Sequence, residues 1–428
     1  MEKTQKTSAT TEALGTNAWM LVIVAALGYF VDAYDLIVAS VARGSAIVEL
    51  GLAQPGTVEH KSWAFFFENA QSAGILIGGI CFGILGDKVG RKRVLYASIF
   101  LYSVANLANG MLTSSIPNVG EVYSALRFVG GFALAAELSI GIVMISETLK
   151  AKNRGYGSMI VVSFGVLGCV LAAVLFEFAK VSWRTLFIIG GVAGLMLLGL
   201  RYGIRETRYF LQEDNKRAER GNLMMVLRSG RLAKIFVGAI LMGFPIYYFV
   251  SIPIKFAADY GKEFGLTIAG TIPIIVFYLV LSLSDILANL LSQLLKSRKK
   301  VIYCFIGACL IPILGMHFLP PTRPEHYIYI YSPLMGLASG YWALLVTFTA
   351  EQIGTNMRAT FTTAVPNIIR SLFIPISLLL GFLQPAFGTS TSVFFMGLAA
   401  VALGFLGNFL LQETWGRNLN FVESETQS

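Results

Sequence analysis

Apolar residues dominate this chain in long blocks separated by short polar stretches. The blocks fall at 19–40, 63–85, 94–113, 121–147, 155–178, 183–203, 232–256, 266–295, 301–319, 327–350, 358–384 and 391–411. A block of about 20 residues makes enough helix to cross the roughly 30 Å hydrocarbon core of a bilayer. Lipid offers no partner to backbone N–H and C=O groups, so such blocks fold as helices, which satisfy those groups internally. The pattern predicts an all-α membrane protein with twelve transmembrane helices. The fourth, eighth and eleventh blocks are long, which predicts tilt or extension beyond the bilayer. A large soluble protein with buried helices is not expected to show so many runs at such even spacing.

Polar residues then set the organisation. The one long polar connection, 205–231, carries mixed, helix-friendly charges and leaves six blocks on either side. It predicts an N-tail (1–18), a first six-helix bundle (19–204), an amphipathic linker (205–231), a second six-helix bundle (232–411) and a C-tail (412–428). With that alternation, 24 Lys and Arg fall on the side of the tails and linker and 7 on the other, leaving Arg127 and Arg370 inside blocks. The positive-inside rule puts both termini in the cytoplasm. The net charge of +9 is thereby a topology signal and calls for no nucleic-acid partner. The chain is 55% hydrophobic and 13% charged, against about a quarter charged in soluble domains. The first apolar block is too long for a signal-peptide core, so it is read as a span. Cys81, Cys169, Cys304 and Cys309 all fall inside blocks and read as small core residues. No Asn-x-Ser/Thr sequon occurs, which favours a bacterial inner membrane over a glycosylated surface.

Charged stretches repeat across the two halves. Arg91-Lys92-Arg93 recurs as Arg298-Lys299-Lys300, 207 residues on. Ser146-Glu147 with Arg154-Gly155 recurs as Ala350-Glu351 with Arg358-Ala359, 204 on, and Glu206-Thr207 recurs as Glu413-Thr414, 207 on. Three anchors in the same order at nearly constant offset predict two homologous halves. Such halves hold a substrate site near the midplane between them and work by rocking.

These residues resemble a known family. Gly83-x-x-Gly86-Asp87-x-x-Gly90-Arg91-Lys92-Arg93 is similar to the loop between helices two and three of the major facilitator superfamily of transporters. Arg127 with Gly130-Gly131, Glu147 with Arg154-Gly155, and Glu206-Thr207-Arg208 resemble its fourth helix, four-to-five loop and post-helix-six segment. Asp32-Ala33-Tyr34-Asp35-Leu36 resembles the D-x-[YF]-D-L pattern of the phosphate:proton and aromatic-acid:proton symporters, and the layout is also similar to organic cation and anion transporters. The second-half loop, 293–300, lacks the acid and the glycines, so a latch is expected on the first half alone. There the gating loop would comprise Gly86, Asp87, Gly90 and Arg91, with Glu147 and Arg154 nearby.

An ionisable group inside hydrocarbon is disfavoured by about 2.5–3.5 kcal/mol on insertion scales, so each needs a partner or a task. Asp32 and Asp35 share one face of the first block at i, i+3. Two carboxylates so close in a dry cavity repel, which suits reversible protonation; the alternative is a pair held by hydrogen bonds or by a base of another helix. Glu137 is a further proton-coupling candidate. It lies ten residues, or about 15 Å, beyond Arg127, too far for a direct pair. Arg127 is equally a structural partner for the first helix or a transport residue. Arg370, deep in the eleventh block, can hold a carboxylate or phosphate bidentately; the alternative is an ion pair with Asp285 or Asp35. Asp285 and Glu68 are pathway or gate candidates. Tyr247, Tyr248, Tyr341 and Trp342 either line the cavity or pack. No nucleotide-binding loop, metal-ligand cluster or cofactor motif occurs, which argues against an enzyme and an ATP-driven pump.

The expectation is a monomeric secondary transporter that imports a small organic anion with protons. The alternatives are an exporter or a carrier of a larger polycarboxylate such as an iron chelator, or of another organic ion, and, more remotely, a transporter-like sensor.

Overall fold

The computed structural model describes residues 2–137, 151–200, 226, 228–354, 356–417 and 423. Among the described residues there is no strand. The apolar blocks emerge as helices α1 (Glu2–Glu49), α2 (Val58–Val89), α3 (Arg91–Gly110), α4 (Val119–Leu134), α5 (Ala151–Glu177) and α6 (Trp183–Leu200). After the linker come α7 (Gly230–Ile254), α8 (Thr271–Leu294), α9 (Arg298–Phe318), α10 (Pro324–Gln352), α11 (Thr360–Phe387) and α12 (Thr389–Leu410). Ten of these segments are long and apolar enough to cross a membrane among the described residues. The two that are not, α3 and α4, hold Asn106 and Arg127, which bind each other below.

Helix ends follow local chemistry. Thr57, Ser229 and Ser297 accept from backbone N–H groups three residues on, capping α2, α7 and α9. Between α2 and α3 the chain turns at Gly90 with φ +105°, a conformation that only glycine adopts freely. The continuous blocks of the second half are less regular than the sequence suggests. Helix α7 passes through a π-helical turn at Val250–Ile254 containing Pro253, and α10 is interrupted before Trp342, where its last helix begins.

The pairing of helices repeats across the two halves. α1 packs on α5 and α6, α2 on α4, and α3 on α6; α7 packs on α11 and α12, α8 on α10, and α9 on α12. The first set depends on small residues. A Cβ at Gly168 would lie 2.0 Å from the Phe30 carbonyl oxygen, and Cβ atoms at Gly74 and Gly78 would each lie 2.1 Å from backbone oxygens of α4. Small residues at such spacing let helix backbones touch where no hydrophobic force drives them together in lipid. Between the halves, α5 packs on α8 and α2 on α11. Four helices therefore frame a central region into which α1, α7, α10 and α11 project polar side chains.

Candidate functional site

At the centre, a salt bridge joins the two halves. Arg370 of α11 donates from Nη2 to Asp32 Oδ2 of α1 at 3.4 Å and to the Tyr29 hydroxyl at 3.2 Å. Both charged side chains are at most 3% exposed. Trp342, the first residue of the last helix in α10, donates from Nε1 to the same hydroxyl at 3.3 Å. Tyr247 of α7 is an electrostatic neighbour of Arg370. Tyr29 was not singled out from sequence, yet it ties the guanidinium to the indole; its i−3 spacing from Asp32 was the available signal.

The two aspartates of α1 have different partners. Asp35 is buried against α6, where its Oδ1 occupies the space a Cβ at Gly190 would fill. Its charged neighbours are Arg127 and Asp32, and its polar neighbour is Asn106. Arg127 donates to Asn106 Oδ1 at 2.8 Å and stacks over Phe187 at 4.4 Å. Arg127 thus bonds to α3 and lies as an electrostatic neighbour of Asp35 on the first helix. Glu137 is buried three residues past the end of α4 and two past the point where Asn367 of α11 donates to the Ala135 carbonyl at 2.6 Å.

Three other candidates have a hydrogen-bond partner within the second half. Asp285 of α8 accepts at Oδ1 from the backbone N–H of Ala343 at 3.0 Å, capping the helix that restarts at Trp342. The proposed alternative partnership of Arg370 with Asp285 or Asp35 is not observed: Arg370 pairs with Asp32. The hydroxyls of Tyr248 and Tyr341 donate to the carbonyls of Val393 and Met242. Glu68 of α2 sits in a triad with Arg43 of α1 at 3.0 Å and Lys255, the residue that ends α7, at 2.8 Å.

At the end of the bundle carrying Gly90, the second-half loop corrects an expectation. The sequence predicts no latch there, because the loop itself lacks an acid. Instead, acids arrive from elsewhere in the same half. Arg298 pairs with Glu351 at 3.2 Å. Glu413, after α12, accepts from the Ser297 hydroxyl and from the backbone N–H groups of Arg298 and Lys299 at 3.0 and 3.2 Å. Thr414 closes the ring onto Glu351 at 2.6 Å. A carboxylate over the first turn of α9 also complements the helix dipole. Burial raises the Glu413 carboxyl's tendency to hold a proton, but the Ser297 hydroxyl and the three backbone donors outweigh it and keep the group below its ordinary value. Of the first-half loop, Gly86 and Gly90 are described; Glu147 lies outside the described residues, as do the side chains of Asp87, Arg91 and Arg154.

Long apolar helices packed in a repeated pattern, with ionisable groups gathered at their centre, define an integral multi-pass membrane transporter. The sequence model of the Major Facilitator Superfamily matches residues 16–377, and the chain belongs to that superfamily. It is 22% identical to the niacin transporter NiaP of Acinetobacter baylyi over 377 residues, covering 81% of this chain and 82% of that one. It is 31% identical to the 3-(3-hydroxy-phenyl)propionate transporter of Escherichia coli over 170 residues, 40% of this chain and 39% of that one. In three dimensions it is similar to the proton:xylose symporter XylE bound to 6-bromo-6-deoxy-D-glucose, with a TM-score of 0.73 at 16% identity, covering 95% of this chain and 98% of that one.

Proposed function

We propose that the protein imports a small organic carboxylate together with protons, by alternating access across a bacterial inner membrane. In this reading twelve spanning helices form two homologous bundles, 19–204 and 232–411, joined by a cytoplasmic linker at 205–231, with both termini cytoplasmic. The observation that carries the reading is the buried Arg370–Asp32 pair, contributed by opposite halves. A guanidinium in that position binds a carboxylate well, and its resident partner is itself a carboxylate that a proton can neutralise. Protonation of Asp32 frees Arg370 for the cargo; loss of that proton on the cytoplasmic side returns Asp32 to Arg370 and expels the cargo. Tyr29, Tyr247 and Trp342 surround the guanidinium with aromatic rings, which suit a flat, aromatic acid. The names of two relatives, a niacin transporter and a 3-(3-hydroxy-phenyl)propionate transporter, are aromatic carboxylates and support this class. Asp35 beside Arg127, and Glu137 beside the α4–α11 contact, are further proton-coupling groups. The Gly86–Arg91 loop and the Arg298–Glu351–Glu413 ring act as the cytoplasmic latches of the two halves.

The test is uptake of radiolabelled nicotinate, benzoate and 3-phenylpropionate into proteoliposomes with an imposed pH gradient. Uptake of at least one, driven by an inward proton gradient and lost in Arg370→Gln, is expected. Uptake that ignores the gradient, or that survives Arg370→Gln, refutes the proposal. Inverted vesicles separate import from export.

A further inference from the structure

Eleven residues beyond Asp32, or about 16 Å along α1, a second ionic cluster closes the other end of the bundle. Glu68 of α2 accepts from Arg43 Nη1 at 3.0 Å, from Ser40 at 2.5 Å and from Lys255 Nζ at 2.8 Å. Arg43 also donates to the Lys255 carbonyl. It lies over the Phe256 ring at 3.8 Å, and that ring stacks with Phe65 and Phe373. Glu68 and Lys255 side chains are 2% and 5% exposed. The cluster therefore clasps α1 and α2 to α7 and α11.

Two features go beyond a clasp. First, the direct pairs do not balance: Arg43 and Lys255 share the one carboxylate of Glu68, while Asp259, the other acid acting on Arg43, is paired with Lys262. Second, Arg43 and Lys255 form part of the wall of a cavity of about 450 Å³ that opens away from the Gly90 end. The remaining charges on that wall, Lys61 and Lys262 against Asp259 and Glu263, offset one another. The excess positive charge is thus focused where the cavity meets the clasp. Lys255 directly follows the π-helical turn with Pro253, where the helical hydrogen-bond ladder is already perturbed, so its segment can move without unwinding a regular helix.

We infer that Arg43 and Lys255 form a second, external binding site for a compact oxyanion, a carboxylate or phosphate, which opens the clasp by replacing Glu68 as their partner. A charged ligand entering the cavity meets the two cations before any other buried charge. Once it pairs with them, Glu68 is no longer needed to neutralise α7, and the contact between the halves at this end is released. A neutral molecule of the same shape cannot do this. The role of the site as an entry station for cargo rests on the anion-import reading; the site itself does not, because Arg370 takes no part in it.

The experiment removes the central site and measures the outer one. Full-length Arg370→Gln protein and its Glu68→Gln, Glu68→Asp and Glu68→Gln/Lys255→Gln derivatives are purified and reconstituted in nanodiscs. Each is titrated with benzoate, inorganic phosphate and benzamide while thermal unfolding is followed; monodisperse elution establishes folding. In the Glu68→Gln form the resident competitor is gone, so the half-saturating concentration of benzoate, phosphate or both falls at least tenfold. Glu68→Asp, which keeps the charge, does not show that gain, and adding Lys255→Gln removes it. Benzamide has no effect in any form. The inference is overturned if neither anion gains affinity in Glu68→Gln, if benzamide gains as much, or if the gain survives Lys255→Gln. Wild-type protein that transports none of the acids above, alongside a positive result here, would sink the import reading and leave the outer anion site standing.

Discussion

Asp32→Asn is the most informative single substitution, because it separates a structural ion pair from a competitor for cargo. Asp32 and Arg370 meet at 3.4 Å with side chains 1% and 3% exposed. Removing one member of a buried pair typically destabilises by about 3–5 kcal/mol, since the other charge is left uncompensated. Arg370 keeps the Tyr29 hydroxyl at 3.2 Å, which compensates part of that loss. In the cargo-free protein the result is a lower melting temperature. In the presence of a carboxylate the sign reverses: the cargo now meets a guanidinium that no internal carboxylate holds. If about 2–3 kcal/mol of the lost pairing is recovered by the cargo, affinity rises by roughly 30- to 150-fold, since each 1.4 kcal/mol is tenfold.

The assay is calorimetric titration of nicotinate or benzoate into purified protein at several pH values. Wild type binds more tightly as pH falls, because a proton on Asp32 frees Arg370. Asp32→Asn binds tightly at every pH and loses proton-driven accumulation. Arg370→Gln does not bind, and Asp32→Asn/Arg370→Gln melts closer to wild type than either single variant, because it leaves no orphan charge. An Asp32→Asn protein whose affinity is unchanged or weaker, or still rises with acidity, refutes the exchange of partners.

Three further outcomes are expected. Gly168→Ala puts a methyl 2.0 Å from the Phe30 carbonyl oxygen; a backbone obstacle cannot swing away, so the α1–α5 crossing opens and thermal unfolding in detergent shows a loss of about 1–3 kcal/mol. Glu351→Gln leaves Arg298, 6% exposed in its side chain, short of its main counter-charge; stability falls by about 3 kcal/mol, and Arg298→Gln in the same chain restores part of it, as a double-mutant cycle will read. Glu413 is held below its ordinary 4.5, so its contribution is fully present above that value and is lost as pH falls through the lower folded value; Glu413→Gln should flatten the acid limb of the melting-temperature profile below about pH 4.5 and leave the neutral region parallel to wild type.

Much of this architecture is written in the chain because lipid imposes a simple rule. Apolar blocks at 63–85 and 183–203 became α2 and α6, and Gly90 and Ser297 mark equivalent breaks 207 residues apart. The reading faltered where polarity inside the bundle serves a partner elsewhere. α3 was predicted as an ordinary span, yet it carries Asn106 to receive Arg127. Asp32 and Asp35 share one face at i, i+3 and act on each other, but which base stands opposite each is not local: Arg370 pairs with Asp32 and Arg127 neighbours Asp35, from different helices. The echo loop seemed to have lost its acid because Glu351 and Glu413 are 53 and 115 residues from Arg298 in the chain. Nothing local to Arg43 or Lys255 reveals that Glu68 draws both inward. Spacing within a helix is legible; which helix lies opposite is not.

The contacts between the halves fall into two physical kinds, and the difference indicates what must drive the motion. Across α2–α11 and α4–α11 the bonds are neutral. Ser371 donates to the Ser72 carbonyl at 2.9 Å but also to Asn367 O of its own helix at 2.7 Å. Asn367 likewise reaches both Ala135 O at 2.6 Å and Thr363 O at 2.8 Å. When the halves part, each donor keeps an acceptor within its helix, so separation strands no polar group and these bonds, each worth about 1 kcal/mol or less, give way readily. Elsewhere the bonds are ionic: Asp32 of α1 with Arg370, and Glu68 of α2 with Lys255. Parting these exposes a buried charge unless a proton or another anion takes the missing place. The neutral contacts therefore act as a sliding surface and the two ionic ones as locks. A lock built from a carboxylate and a guanidinium or ammonium opens to the two kinds of species that can relieve it, protons and oxyanions, which is why coupling and cargo class emerge from the same side chains.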